Sequence, residues 1–204
     1  MSTRHPAEQT AIEIAQAAAP WVLEHGLDYA SAKRKAVAAL DLPQRTPLPD
    51  NALMEAALHE HIALFLQETQ PAELLALRQL ARAWMLRLAE FRPHLSGAVW
   101  NGTATQHSMV SLQLFADDPK MVDICLLNQH VRFDVEELTG VDGKPAVCLV
   151  LGVQCAEFEL QTGVGLLVHG HDALRQAKRN NVAGLPLRGD LAAVNALLEA
   201  VDAR

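Results

Sequence analysis

Over the first ninety residues the apolar positions recur at helical spacing. Residues 7–25 and 28–40 are rich in Ala and predict two helices, with Gly26 as the break between them. Pro43, Pro47 and Pro49 in LPQRTPLPDN forbid a helix and predict an extended loop. Asp50 is placed to cap a third helix, along which Met54, Leu58, Ile62 and Phe65 or Leu66 recur. Pro71 suits the first turn of a fourth helix. On that helix Leu74, Leu77, Ala81, Trp84, Met85, Leu88 and Phe91 form one apolar stripe, which needs a partner surface in the residues that follow.

After Pro93 the period shortens to two. HLSGAVW and MVSLQLF read as strands. In the second, Val110, Leu112 and Leu114 face one way while Met109, Ser111 and Gln113 face the other. Asp118 and Pro119 start a helix that runs to about Gln129. VRFDVEE alternates again, with Val131, Phe133 and Val135 on one side and Arg132, Asp134 and Glu136 on the other. GVDGKP is a turn, residues 146–155 and 157–169 are apolar strands, and two helices close the chain, the last capped by Asp190. The expected architecture is α+β: a helical N-terminal region, 1–70, packed on a mixed-sheet domain with flanking helices, 71–204.

Composition narrows the class. With 50% hydrophobic and 20% charged residues, the 204-residue chain has the make-up of a folded globule with a sizeable core. Its net charge of −7 is shared between the halves, −2 on residues 1–92 and −5 on 93–204, and argues against a nucleic-acid backbone as partner. No apolar run reaches the length of a membrane span, and Gln9, Glu13 and Gln16 interrupt the N-terminal apolar residues, so no signal-peptide core is present. Cys125, Cys148 and Cys155 lie in apolar surroundings with no CxxC pair. Buried reduced thiols in the cytoplasm are the expectation.

The stretch with most chemistry in it is Gly97–Leu112, GAVWNGTATQHSMVSL, where two glycines and the small polar residues Thr103 and Ser108 join two predicted strands. A backbone without Cβ at Gly97 and Gly102 can approach a phosphate closely and offer it N–H groups. In this segment the chain resembles the polymerase-β-like nucleotidyltransferase superfamily, over about residues 72–137. Laid on the family signature without a gap, Gly97 and Ala98 take its Gly-Ser pair, Gly102 its second Gly and Ser108 its Ser. Val110 and Leu112 take its hydrophobics, and Asp134 stands where the family has its third carboxylate. The two metal-binding aspartates of the signature fall on Met109 and Ser111. A thioether and a neutral hydroxyl are poor ligands for Mg²⁺, which in-line phosphoryl transfer needs between carboxylates and substrate phosphates.

The resemblance therefore implies a retained fold and a lost two-metal chemistry. The expected protein is a pseudoenzyme whose former active-site cleft holds a nucleotide or other small ligand, with no cofactor. That cleft would comprise Gly97, Gly102, Thr103, Ser108, Ser111, Gln113, Lys120 and Asp134. Two alternatives stand beside it. One is an active nucleotidyltransferase that holds Mg²⁺ with other groups, Asp134, Gln113 and Asp117. The other is an interaction module that forms a homodimer through its N-terminal helices.

Other motifs carry less. His59-Glu60-His61 lie two apart on a helix and point in different directions, as a surface pair does. His169-Gly170-His171 could share a strand face but has no third ligand at a recognisable spacing. His107-Ser108 lacks an orienting partner, Lys33-Arg34-Lys35 reads as a solvated face, and Asp118 reads as a cap with Asp117 and Asp123 solvated. Gly140–Pro145 lacks the spacing of a phosphate-binding loop, and Arg188-Gly189-Asp190 reads as a helix start.

Overall fold

A computed structural model describes residues 6–139, 145–159, 161–170, 173 and 186–202. The chain divides into two compact units, Met1–Pro71 and Ala72–Arg204.

The first unit is helical: α1 (Pro6–Leu23), α2 (Tyr29–Ala39) and α3 (Asn51–His61). Asp28 and Asp50 cap α2 and α3, accepting hydrogen bonds from the Ser31 and Leu53 N–H groups at 3.0 and 2.8 Å. Gly26, at φ +66°, lets the chain turn between α1 and α2. The small faces of α1 and α2, Ala15, Ala18, Ala32 and Ala36, close over Ile14, Leu23, Met54 and Leu58. The third helix does not continue smoothly through Leu66. Residues Ile62–Leu66 form a π-helical turn. The wider turn rotates the apolar stripe, so Leu66 stays half-buried while Leu64 and Phe65 face solvent.

The second unit is built on α4 (Gln70–Arg87), a 3₁₀ turn (Ala89–Phe91), β1 (His94–Ser96), α5 (Gly97–Asn101), β2 (Val110–Ala116) and α6 (Lys120–Asn128). It continues through β3 (Asp134–Thr139), β4 (Pro145–Gln154), β5 (Gln161–Gly170), β6 (Arg188–Gly189) and α7 (Leu191–Asp202). The six strands lie in the order β3-β4-β5-β2-β1-β6. Only β2 and β5 pair in parallel; the other neighbours are antiparallel. The fold is α+β.

One core lies on one face of this sheet. Leu77, Ala81, Trp84, Met85, Leu88 and Phe91, the stripe read from α4, join Val122 and Leu126 of α6 and Val194 of α7 there. From the strands they meet Leu95, Val110, Leu112, Leu114, Leu149, Leu151, Val164, Leu166 and Val168. The period-two pattern of MVSLQLF thus places its inward residues as read.

Four expectations are corrected. HLSGAVW is half strand and half helix: Gly97 takes φ +69°, outside the strand region, and the chain coils into α5. The third strand begins at Asp134, after Val131 and Phe133 have turned in against the core. Residues 155–159 form a turn in which Gln154 Nε2 donates to the Cys155 and Phe158 carbonyls at 3.2 and 3.0 Å, so β5 starts at Gln161. Arg188 and Gly189 are a strand paired to β1, and only Asp190 starts the helix, accepting from the Ala193 N–H at 2.9 Å. The turn read at Gly140–Pro145, apart from Pro145, and the first of the two C-terminal helices fall outside the described residues.

Candidate functional site

The strand registers fix which residues share the face opposite the core. One row across the sheet reads Asp134, Val150, Gly165, Ser111, Ser96, Arg188, from β3 to β6. The next reads Glu136, Cys148, Leu167, Gln113, His94. Phe115 and His169 are paired beyond them. Phe115, Cys148 and His169 are buried, yet the first two are absent from the helix-side core, so this face has a packed centre of its own.

That centre is aromatic and cationic. The Phe115 ring is met edge-on by His94, with centroids 5.4 Å apart, and stacked by His169 at 5.4 Å. The Arg188 guanidinium lies 5.0 Å from the same ring, and its Nη1 donates to Gln113 Oε1 at 2.8 Å. His94 Nδ1 donates to the Arg92 carbonyl at 2.9 Å, which fixes the ring. Burial holds the His94 imidazole below its ordinary pKa, and the Arg188 charge adds to the effect against the Arg92 bond and Asp190. Beside Arg188, Ser96 Oγ donates to the Ser111 carbonyl at 3.3 Å. Gly97 follows at the start of α5. A Cβ there would stand 3.6 Å from Ser111 Oγ, so the missing side chain leaves the Ser111 hydroxyl uncovered on that side.

Arg188, Ser96, Ser111, Gln113 and His94 are thus a half-buried polar patch over β6, β1 and β2. It holds one permanent positive charge, two hydroxyls, an amide and an imidazole, a donor-rich set suited to an anionic group. Next to it the Met109 side chain lies flat on β5. Its Cγ comes within 3.3 Å of a Cβ placed at Gly163 and its Cε within 3.0 Å of one at Gly165.

Of the eight residues read from the sequence, the structure gathers Gly97, Ser111 and Gln113 here and takes the others elsewhere. Gly102, at φ +87°, ends α5 and faces Arg78 and Leu74 of α4. Thr103 is buried, and its hydroxyl has no hydrogen-bond partner among the described residues. Ser108 closes a turn, its Oγ accepting from the Thr105 N–H at 3.1 Å. Lys120 is exposed in the first turn of α6, a helix that packs on the core side. Asp134 shares the row of Ser111 but stands three strands away, about 14 Å at ordinary strand spacing. Asp117 lies beyond the opposite end of β2, about 20 Å along the chain from Ser111. The paired-metal positions of the resemblance are therefore a thioether and a hydroxyl without a neighbouring strand carboxylate, and they do not fit Mg²⁺.

Sequence reasoning missed Arg188, Ser96, His94 and Phe115. A two-residue strand such as β6 shows no periodicity, so nothing in Arg-Gly-Asp announced that Arg188 sits on a sheet. His169 was noticed only as half of a His-Gly-His pair; His171 lies outside the described residues.

The remaining motifs resolve into structure. His61 pairs with Glu24 at 3.2 Å and stacks on Phe65. The Lys33-Arg34-Lys35 run is not a uniform solvated face: Lys33 is buried, donates to Asn51 Oδ1 at 3.1 Å and has its pKa lowered by burial, while Lys35 covers the Trp21 ring. Asp118 accepts from the Lys120 N–H at 3.0 Å, as a cap does. Cys125, Cys148 and Cys155 are free thiols, each pushed to higher pKa by burial. Among the described residues no group of three His, Cys, Asp or Glu side chains is placed to hold a metal, and no helix is long and apolar enough to cross a membrane. No protein-family model matches the chain, and no curated protein is significantly similar to it.

Proposed function

We propose that this protein binds a small anionic ligand, a nucleotide by preference, at the half-buried polar patch on the sheet face opposite the core, and that it carries out no metal-dependent nucleotidyl transfer. The observation that carries the reading is the Arg188 guanidinium, backed by Phe115 and tied to Gln113, in one row with Ser96 and Ser111. An arginine oriented by a ring and an amide meets a phosphate or carboxylate with little further ordering, which favours binding. Gly97 leaves room for such a group beside Ser111. Met109 and Ser111 at the metal positions of the nucleotidyltransferase resemblance support binding without transfer, and so does the separation of Asp134 from them. The three free thiols support the cytoplasm as the working compartment.

Calorimetric titration of metal-stripped protein with the common nucleoside triphosphates, with and without Mg²⁺, tests this. The expected outcome is binding indifferent to Mg²⁺ and weakened roughly ten-fold or more in Arg188→Ala, as the loss of one charge-assisted contact predicts. Binding that strengthens with Mg²⁺ would return the reading to an active transferase. Absence of heat with every nucleotide, at two temperatures, would remove it.

A further inference from the structure

Helix α6 is apolar on two sides. Val122 and Leu126 are buried in the sheet core, while Met121, Ile124 and Leu127 on the opposite side are 48%, 48% and 60% exposed. Their spacing of three sets them on one strip about 9 Å long. A helix that is apolar all round is ordinarily covered all round, and an exposed apolar patch with a polar rim marks a contact site.

The strip opens at its N-terminal end into a hollow of about 290 Å³, which Met121 shares with Phe91, Phe115 and Ala116 and with the carboxylates of Glu90, Asp117 and Asp118. Phe91, Phe115 and Ala116 are nearly closed to solvent and form its floor, whereas the three acids are exposed at its rim. Among the described residues Arg92 is the one cation in the lining. A buried apolar floor under a carboxylate rim suits a long basic side chain, whose stem is apolar and whose head is charged.

We propose that the outer face of α6 docks a basic amphipathic helix of a partner protein. Apolar side chains of that helix lie along Leu127, Ile124 and Met121, and a Lys or Arg beyond them enters the hollow, with its stem on Phe91 and Phe115 and its charge among Glu90, Asp117 and Asp118. Charge complementarity selects this occupant: a second copy of the chain would bring one acidic rim against another, and the chain as a whole carries −7. The docking strip lies on α6, which packs on the core side of the sheet, and Phe115 is the residue that its hollow shares with the ligand patch.

The test uses the full chain and a fluorescent peptide of about eighteen residues with Leu on one face and Lys on the other. Beside it runs the same peptide with Glu in place of every Lys. The expected anisotropy result is binding of the Lys peptide only. It should be roughly ten-fold weaker in the double variant Ile124→Ser, Leu127→Ser, and also weaker in Asp117→Asn and in high salt. Both sites face solvent, so circular dichroism should report an unchanged fold; Asp117→Asn, which leaves the Asp118 cap in place, keeps the test readable if the double variant does not fold. Equal binding of the Lys peptide by the wild type and both variants overturns the proposal, as does equal binding of the two peptides. So does a concentration-dependent dimer seen by sedimentation in the wild type and lost in the double variant, which would assign the face to self-association.

Discussion

His94 meets the Phe115 ring edge-on near the charge of Arg188, and both its burial and that charge disfavour its protonated form. In the unfolded chain the imidazole titrates near its ordinary value of 6.5. As pH falls through 6.5 the unfolded state takes up the proton before the folded state does. The contribution of His94 to stability is therefore fully present above 6.5 and declines as pH drops towards the lowered folded value. Two results are expected. The fall in Tm between pH 7.5 and pH 5.5 should be shallower in His94→Gln than in the wild type. In Arg188→Ala the His94 resonances, followed by NMR, should titrate at higher pH, because one cause of the depression has been removed. A His94 pKa unmoved by that change would mean the guanidinium is screened from the ring. Legibility was partial at this scale. Ser111 and Gln113 were readable as neighbours because residues two apart on a strand share a face. Arg188 was not, because its neighbours in space come from another part of the chain.

Elements were readable where a regular pattern runs long enough to outvote single residues. The α4 stripe and the alternation of β2 are of that kind, and both bury the residues they indicated, Leu74 only in part. Asp50 was readable as a cap for a local reason, since a carboxylate before an apolar-periodic run satisfies an N–H group otherwise left open. Replacing it with Ala should lower stability by about 1 kcal/mol, and chemical denaturation should show that loss without a change in the proposed ligand site. Patterns failed at interruptions. The neighbours of Gly97 are strand formers and predict a strand there, but its positive φ ends the strand. The π turn at Ile62–Leu66 inserts a residue's worth of rotation that no periodicity reveals. That is why, of Phe65 and Leu66, either of which suited the inward stripe, Leu66 is half-buried while Phe65 stands exposed.

The order of strands was the least legible feature of the whole molecule. A sequence shows which segments alternate, but the partner of each is chosen by packing between distant residues. Read along the chain, β2 and β3 look like neighbours across one helix; in the sheet, β5 and β4 lie between them, and this alone removes Asp134 from the neighbourhood of Ser111. The division into two units carries its own expectation, since each has a separate core. Leu58→Ala, in the first, and Leu112→Ala, in the second, should each cost about 2–5 kcal/mol. In a calorimetric scan each should lower a different transition. A single transition lowered by either variant would show that the units unfold as one.

The same strand order has a consequence in time. The β4–β5 and β3–β4 pairs are hairpins between adjacent segments, whereas Val110 must find Val164 and Leu95 must find Gly189, roughly fifty and ninety residues along the chain. Pairings so distant are slow to form, so the β3–β4–β5 and β1–β2 pairs are expected to form early and the β2–β5 and β1–β6 seams to close last. Of these late seams, the row of Arg188, Ser96 and Ser111 crosses the one between β6 and β1. An anion bound there, as proposed, would bridge a contact absent from the folding transition state, and should slow unfolding while leaving the speed of folding almost untouched.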